Sequence, residues 1–378
     1  MSRHSLTIIP SSGLQMFALE TLRDIDHLVV GATILGTGGG GDPKAGRETL
    51  NADLTAGRKL KIVQLNELPG ESLVVSPYYV GAMSGSAGLE QKKVIANPFE
   101  VGIEVIEKHL QRKVAATLAC EIGGGNTAAA LHLAAQLGVP LVDGDLTGRA
   151  GPEIHQNTAN LFDAPMAPSA IVSDSGNVVF IESYGSIDDY EALARYVSVL
   201  ARGYVAVIDT PLTPRLASQL LVVGTISESV NLGRAVREAH EQSRDALEAV
   251  RKTLGGWILF QGYVENYNRR DEKGFLIGEV TLKGTNAWRG RKFRSWIKNE
   301  HLFAWRDGKP VVMPPDLIIF LDAQGHGVTN DTLRQDQEVS VLAAKAPAVW
   351  RTLKGLELFG PQHFGLEYDY VPVEELNK

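Results

Sequence analysis

The chain has 378 residues, 44% hydrophobic and 21% charged, enough for about two domains of ~100–200 residues with sizeable cores. Its formal net charge of −7 offers no basic face for phosphates, so no nucleic-acid partner is expected. The single cysteine, Cys120, excludes an intrachain disulfide framework. Met1 to Glu20 has no apolar signal core, and no apolar run approaches the ~18 residues of a membrane span, so a cytoplasmic protein without a membrane partner is expected.

Along the chain, Leu28 to Gly36 reads as a helix that runs into the glycine tract 38–41. KIVQL and SLVVSP read as short strands. In ANPFEVGIEVIEKHLQ, Phe99, Ile103, Ile106 and Leu110 recur at helical spacing and predict an amphipathic helix. VAATLACE, residues 114–121, is continuously apolar and predicts a buried strand. NTAAALHLAAQLG predicts a helix closed by Gly138, followed by the strand VPLVDGD. Strand, glycine turn, helix and strand together describe a βαβ arrangement, which places ligands at the carboxyl ends of parallel strands.

Residues 169–183 predict a hairpin turning at Asp174–Asn177, and DDYEALARYVSVLARG and SVNLGRAVREAHEQSRDALEAVRKTLGG predict helices. From Trp257 the hydrophobic period becomes two. The expected architecture is therefore an α/β N-terminal domain over 20–170 with glycine loops, and a C-terminal domain over 171–378. The latter divides into a helical segment, 187–255, and a β-rich part, 257–375, forming an antiparallel β sandwich or barrel-like domain.

Three segments of the first half could carry chemistry. GTGGGGDPKAG, residues 36–46, lets backbone approach a ligand, with Gly39 and Gly40 as candidate substrate contacts; a tight turn between packed elements is the alternative. It lacks the Gly-Lys-Ser/Thr ending of a nucleotide loop. CEIGGGNT, residues 120–127, follows a strand and opens a helix. Cys120 there is a metal ligand, a nucleophile or a small buried hydrophobe, Glu121 is a candidate catalytic carboxylate, and Gly124 and Asn126 are candidate substrate contacts.

DGDLTGRAGPEIHQNT, residues 143–158, concentrates Asp143, Asp145, Arg149, Glu153 and His155. Carboxylates two residues apart on a strand end point the same way and can share a cation or a water, and imidazole is the commonest transition-metal ligand. The other reading is an Asx-rich loop that pairs with Arg149 and caps the next segment. Further on, Asn299, Glu300 and His301 can reach a site from a strand edge, whereas His326 and His363 sit in turns as surface or packing residues. No GxSxG, HExxH or CxxC is present.

The succession GTGGGGDP, EIGGGNT, VDGDLTGRAGPE, GTIS at 224, LGRA at 232, GYV at 262, GFLIGEV at 274, NE at 299, PDLI at 315 and FG at 364 resembles the family called domain of unknown function 917. That family is linked to S-methyl thiohydantoin desulfurases, and the likeness spans residues 20 to 375 in order. The resemblance implies a small-molecule hydrolase that uses zinc to convert an S-methyl thiohydantoin into a hydantoin and methanethiol. From donor chemistry, Cys120, His155 or both are expected as zinc ligands with Asp143 completing the site, Glu121, Asp145 and Glu153 as catalytic residues, and Gly39, Gly40, Gly124, Asn126 and Arg149 as substrate-binding residues. Cys120 and His155 depart from the pattern of many relatives, so the resemblance by itself assigns no ligand. A metal-free hydrolase with Cys120 as nucleophile and His155 as base is an alternative, as is a non-catalytic partner subunit of a hydantoinase-type complex. A homo-oligomer is expected.

Overall fold

A computed structural model describes residues 17–81 and 93–378; the stretch Met1 to Met16, on which part of the signal-peptide reading rests, lies outside it. The first sheet is built from β1 (Phe17–Leu19), β2 (Leu60–Val63), β3 (Leu73–Val80), β4 (Val114–Ala119), β5 (Leu141–Asp145), β6 (Ser169–Val172), β7 (Val178–Ile181), β8 (Val205–Leu212) and β9 (Val222–Val223). The second holds β10 (Trp257–Glu272), β11 (Phe275–Gly284), β12 (Lys292–Lys298), β13 (Glu300–Arg306), β14 (Lys309–Val312), β15 (Leu317–Leu321) and β16 (Glu338–Ala344). The helices are α1 (Leu22–Leu35), α2 (Pro43–Thr55), α3 (Pro98–Leu110), α4 (Asn126–Leu137), α5 (Thr158–Leu161), α6 (Ile187–Leu200), α7 (Pro214–Leu220), α8 (Thr225–Glu241), α9 (Ala246–Leu254), α10 (Leu353–Phe359) and α11 (Val373–Leu376). No described helix is long and apolar enough to cross a membrane.

The first sheet runs β1-β2-β5-β4-β3-β8-β6-β7, with β9 beside β5. Its centre, β2-β5-β4-β3, is parallel, as the βαβ reading predicts, and antiparallel strands complete both flanks. α3 buries Phe99, Ile103 and Ile106 as its spacing requires, and α4 ends on left-handed Gly138. Residues 169–181 form the expected hairpin. Two strands lie inside the predicted helical segment 187–255: YVAVIDTPL contributes β8, which pairs with β3 on one side and β6 on the other, and Val222–Val223 form β9 beside β5. A short apolar run carries no period of its own, so helix and strand are indistinguishable there from sequence. The first sheet thus takes in strands up to Val223.

From Trp257 onward the chain forms one antiparallel sheet, ordered β14-β13-β12-β11-β10-β16-β15 and curled into a half-barrel rather than a two-sheet sandwich. Register shifts in β10, β12 and β13 bend it, because an extra residue in one strand of a pair sharpens the local twist.

Two contacts hold the layers around the future site. The glycine tract after α1 lies directly on the glycine turn before α4. A Cβ on Gly123 would stand 2.2 Å from Gly40 Cα, and Gly40 has φ +76°. The Gly40 carbonyl accepts from the Gly125 and Asn126 amides, both at 3.0 Å, so the tract itself caps α4. The second contact is the buried Arg149. Its Nε donates to the Ala150 carbonyl at 3.0 Å, Nη1 to Pro315 and Asp316 carbonyls at 2.9 and 3.1 Å, and Nη2 to Thr37 Oγ1 at 2.8 Å and the His301 carbonyl at 3.4 Å. All five donors of the guanidinium are spent, and they join the first layer to the half-barrel.

Gly123→Ala should lower unfolding free energy by about 2 kcal/mol or more, since backbone atoms, not a flexible side chain, fill the space. Arg149→Met should cost about 3–5 kcal/mol by stranding buried carbonyls. Urea titration reads both, and wild-type midpoints would refute the two contacts.

Candidate active site

At the carboxyl ends of β3 and β4 a cavity of about 510 Å³ opens between the first sheet, α2, α4 and the edge of the half-barrel. That size suits a small organic molecule. Its floor is polar: Cys120, Glu121, Asn126, Glu153, Asn299 and Glu300 all line it.

Glu121 leaves the end of β4 and is held from two sides, by Asn126 Nδ2 at 2.7 Å and the Gly151 amide at 2.8 Å. Asn126 also accepts from the Tyr79 amide at 3.1 Å, which fixes its orientation. Burial pushes the Glu121 carboxyl above its usual range, against those two hydrogen bonds and the charges of Arg195 and Arg149. Glu300, the first residue of β13, is 2% exposed, and its Oε2 has no partner among the described residues. Burial, and then repulsion from Glu121, drive its carboxyl well above the ordinary value, only partly opposed by Arg149 and Arg195. Room for Glu300 exists because residue 39 is glycine: a Cβ there would sit 1.9 Å from Glu300 Oε1.

Glu153 behaves oppositely. Burial disfavours its charge, but His363 Nε2 at 2.6 Å, Lys298, and Gln156 Nε2 at 3.0 Å hold its carboxyl far below the usual range. It is a fixed anion in the wall. Arg195 also lines the cavity, with its nitrogens donating to Glu191 and to the Gly274 and Pro152 carbonyls.

The three expected zinc ligands go to separate places. Cys120 lies in the cavity wall, contacts Asn157 Nδ2 at 3.5 Å, and has its thiol pushed well up by burial and by Asp209. Asp143 is buried outside the cavity and accepts from Gln64, from the Ser227 amide at 2.9 Å and from Ser227 Oγ at 2.6 Å. His155 meets Asp188 at 2.8 Å and faces Glu191 at 3.6 Å; burial opposes its charge, yet those two carboxylates raise its pKa. Among the described residues no three His, Cys, Asp or Glu side chains converge as a metal cage. A zinc bound jointly by Cys120, Asp143 and His155 does not fit this arrangement.

Asp145 likewise lies away from the cavity. It accepts from the Thr147 and Gly148 amides and from Thr225 Oγ1, at 2.9, 2.6 and 2.8 Å, and burial still lifts it to about 7. Asp143 and Asp145 together anchor the start of α8 and the loop after β5, and neither pairs with Arg149, whose donors go to carbonyls and Thr37. Of the expected substrate contacts, Gly39, Gly40 and Asn126 line the cavity. Gly124 packs on Thr33 and Pro43 instead, and Arg149 is the interlayer clamp.

Asn299 and Glu300 reach the cavity from the half-barrel edge, as their sequence suggests, whereas His301 is stacked on Phe320 at 3.9 Å. Tyr78, Tyr79, Arg195 and His132 line the cavity without having been singled out. For His132 a signal existed: Asn126, Ala129 and His132 recur at one-turn spacing after the glycine turn, so they share a face of α4.

No curated protein matches the chain. A solved crystal structure of a protein from Chromobacterium violaceum is similar, with a TM-score of 0.76 and 23% identity over 94% of this chain and 100% of that one. At that identity the likeness speaks for the fold. Two family models divide the chain between them, S-Me-THD-like, N-terminal domain over residues 23–183 and S-Me-THD-like, C-terminal domain over 186–373. With both halves matched in order, and with the α/β layer and half-barrel meeting at one cavity, the chain belongs to the S-Me-THD-like family, that of the S-methyl thiohydantoin desulfurases.

Proposed function

We propose that this chain hydrolyses the carbon–sulfur bond of an S-methyl thiohydantoin in the 510 Å³ cavity, releasing methanethiol and leaving a hydantoin. The observation that carries the reading is a pair of carboxylates, half-buried Glu121 and buried Glu300, on the floor of one cavity. Membership of the S-Me-THD-like family supports the choice of substrate class.

The carbon between the ring nitrogens is electrophilic, and two like charges close together push their proton affinities apart, suiting one carboxyl as base and the other as acid. Glu121, oriented by Asn126 and Gly151, takes a proton from water as its oxygen bonds to that carbon. Glu300, protonated, gives its proton to the ring nitrogen that receives the C=N electron pair. On collapse the carbon–sulfur bond breaks, the new hydroxyl returns its proton to Glu300, and methanethiolate takes the proton held by Glu121. The pair is restored, and water has supplied one oxygen and two hydrogens. Glu153 and the Arg195 neighbourhood fix the electrostatics of the wall. Because Cys120, Asp143 and His155 do not converge, no step is assigned to zinc.

Glu121→Gln and Glu300→Gln should each lower kcat by ~100-fold or more, with methanethiol release as the readout. Activity should follow a bell in pH, both limbs displaced upward from the usual carboxylate range: lost at low pH as Glu121 is protonated, lost at high pH as Glu300 ionises. The stability sign runs the other way from a salt bridge. Glu300 favours folding fully below its unfolded pKa of 4.5 and loses that contribution as pH rises through its raised folded pKa. Glu300→Gln should therefore melt higher than wild type above neutral pH while being inactive. Retained turnover in both glutamine variants would remove the carboxylate pair from the mechanism.

Cys120→Ala separates this scheme from thiol attack. A thiol whose pKa is pushed well up is a poor nucleophile, so the variant should keep activity within ~10-fold and its metal content unchanged. Loss of turnover beyond that, or of bound zinc, measured by thiol release and elemental analysis, would bring back the cysteine or zinc reading.

A further inference from the structure

The cavity is not all polar. Away from the carboxylates, α2 presents Ala45, Gly46 and Thr49 and α4 presents Ala129, while Tyr79 and Phe99 form an aromatic wall with ring centroids 4.6 Å apart. Small residues and aromatic rings thus line the same arm, a lining that suits a planar apolar group. His132 also lines the cavity, on the same face of α4 and six residues beyond Asn126, which is about 9 Å along a helix.

His132 is held in one orientation. Its Nδ1 is 2.6 Å from Asp53 Oδ2, and Asp53, wholly buried on α2, is paired through its other oxygen with Arg58 at 2.8 Å. A carboxylate only accepts, so the ring hydrogen sits on Nδ1, and in the neutral ring Nε2 is an acceptor. Nε2 has no hydrogen-bond partner among the described residues, although His132 is only 22% exposed. A buried Asp spent on orienting a half-buried histidine at a cavity wall is a costly arrangement for mere packing. Packing alone would leave neither an oriented lone pair nor a slot of small residues leading to it.

We propose that this arm is the side-chain subsite of the enzyme and that His132 Nε2 accepts a hydrogen bond from the far end of the substrate's substituent. The substrate class is a thiohydantoin ring whose side chain is aromatic and ends in an O–H or N–H donor. Tyr79 and Phe99 stack on the ring of that side chain. Ala45 and Ala129, with no side chain beyond Cβ, leave room for its thickness. His132 reads its tip, and Asp53 is a positioning residue. The proposal rests on the cavity being the reaction site argued above.

The test measures binding and turnover separately. Calorimetry compares hydantoins, the product ring, carrying para-hydroxybenzyl, benzyl, methyl or carboxyethyl side chains. Wild type should bind para-hydroxybenzyl at least ~10-fold tighter than benzyl, the worth of one hydrogen bond to a fixed acceptor, and benzyl tighter than methyl. His132→Asn keeps an amide donor for Asp53 and removes the Nε2 acceptor. It should abolish the preference for the hydroxyl while leaving benzyl over methyl intact. Ala129→Leu should fill the slot and abolish benzyl over methyl. Thermal melts confirm folding of both variants. Carboxyethyl as the tightest ligand, an unchanged hydroxyl preference in His132→Asn, or no binding by any of the four would overturn the subsite. Methanethiol release from the matching S-methyl thiohydantoins is read in parallel. If wild type releases none while the binding order holds, the reaction assignment fails and the subsite stands.

Discussion

Arg149 is the constraint on which the architecture turns. It sits in the loop after β5, is inaccessible to solvent, and spends every donor on Ala150, Thr37, Pro315, Asp316 and His301. Four of these five partners lie in other segments, the tract after α1 and the half-barrel. The cavity exists only where those segments meet, because Glu121 comes from the first sheet and Glu300 from the second. A guanidinium suits this task since its fork satisfies several carbonyls at fixed angles and keeps its charge when buried. Loss of Arg149 would therefore disturb the relative placement of Glu121 and Glu300, although Arg149 itself lies outside the cavity.

The glycines serve the same end by a different physical route. Where the sequence suggests backbone free to approach a ligand, the Gly40 carbonyl already caps the helix that begins at Asn126. Contact between two stretches of bare backbone brings α1 and α4 close enough for Asp42, Gly125 and Asn126 to share one wall. Gly39 then leaves the space that Glu300 occupies. Glycine is used here for absence of volume more than for ligand contact. The result is a carboxylate pair in a desolvated setting that costs stability and suits proton transfer.

Charges elsewhere in the wall are arranged to stay put. Glu153 is gripped by His363, Lys298 and Gln156, and Arg195 by Glu191 and two carbonyls, so neither needs to move when substrate enters. Asp143 and Asp145 fix the start of α8 behind the sheet. Such fully satisfied groups define the shape and field of the site. Glu300 Oε2 and His132 Nε2 are the cavity groups left with spare hydrogen-bonding capacity, which is why the proposed proton transfer and side-chain recognition fall to them.

Much of this was written in local sequence. Hydrophobic period gave the parallel centre of the first sheet, the amphipathic α3 and the change to strands at Trp257, because period reports which face of an element is buried. Glu121 and Asn126 were legible as cavity residues because they flank a glycine turn at a strand end, Gly39 and Gly40 because bare backbone lets a ligand approach, and Glu300 was legible as reaching from a strand edge. Local sequence did not distinguish a carboxylate that meets substrate from one that caps a helix: Asp143, Asp145, Arg149 and His155 share a segment with Glu153, yet only Glu153 faces the cavity. Nor did it reveal that β8 completes the sheet, or that Asp53 meets His132 across 79 positions. Those outcomes depend on which partner a side chain finds at long range, and a partner brought in by folding leaves no mark on the residues beside it.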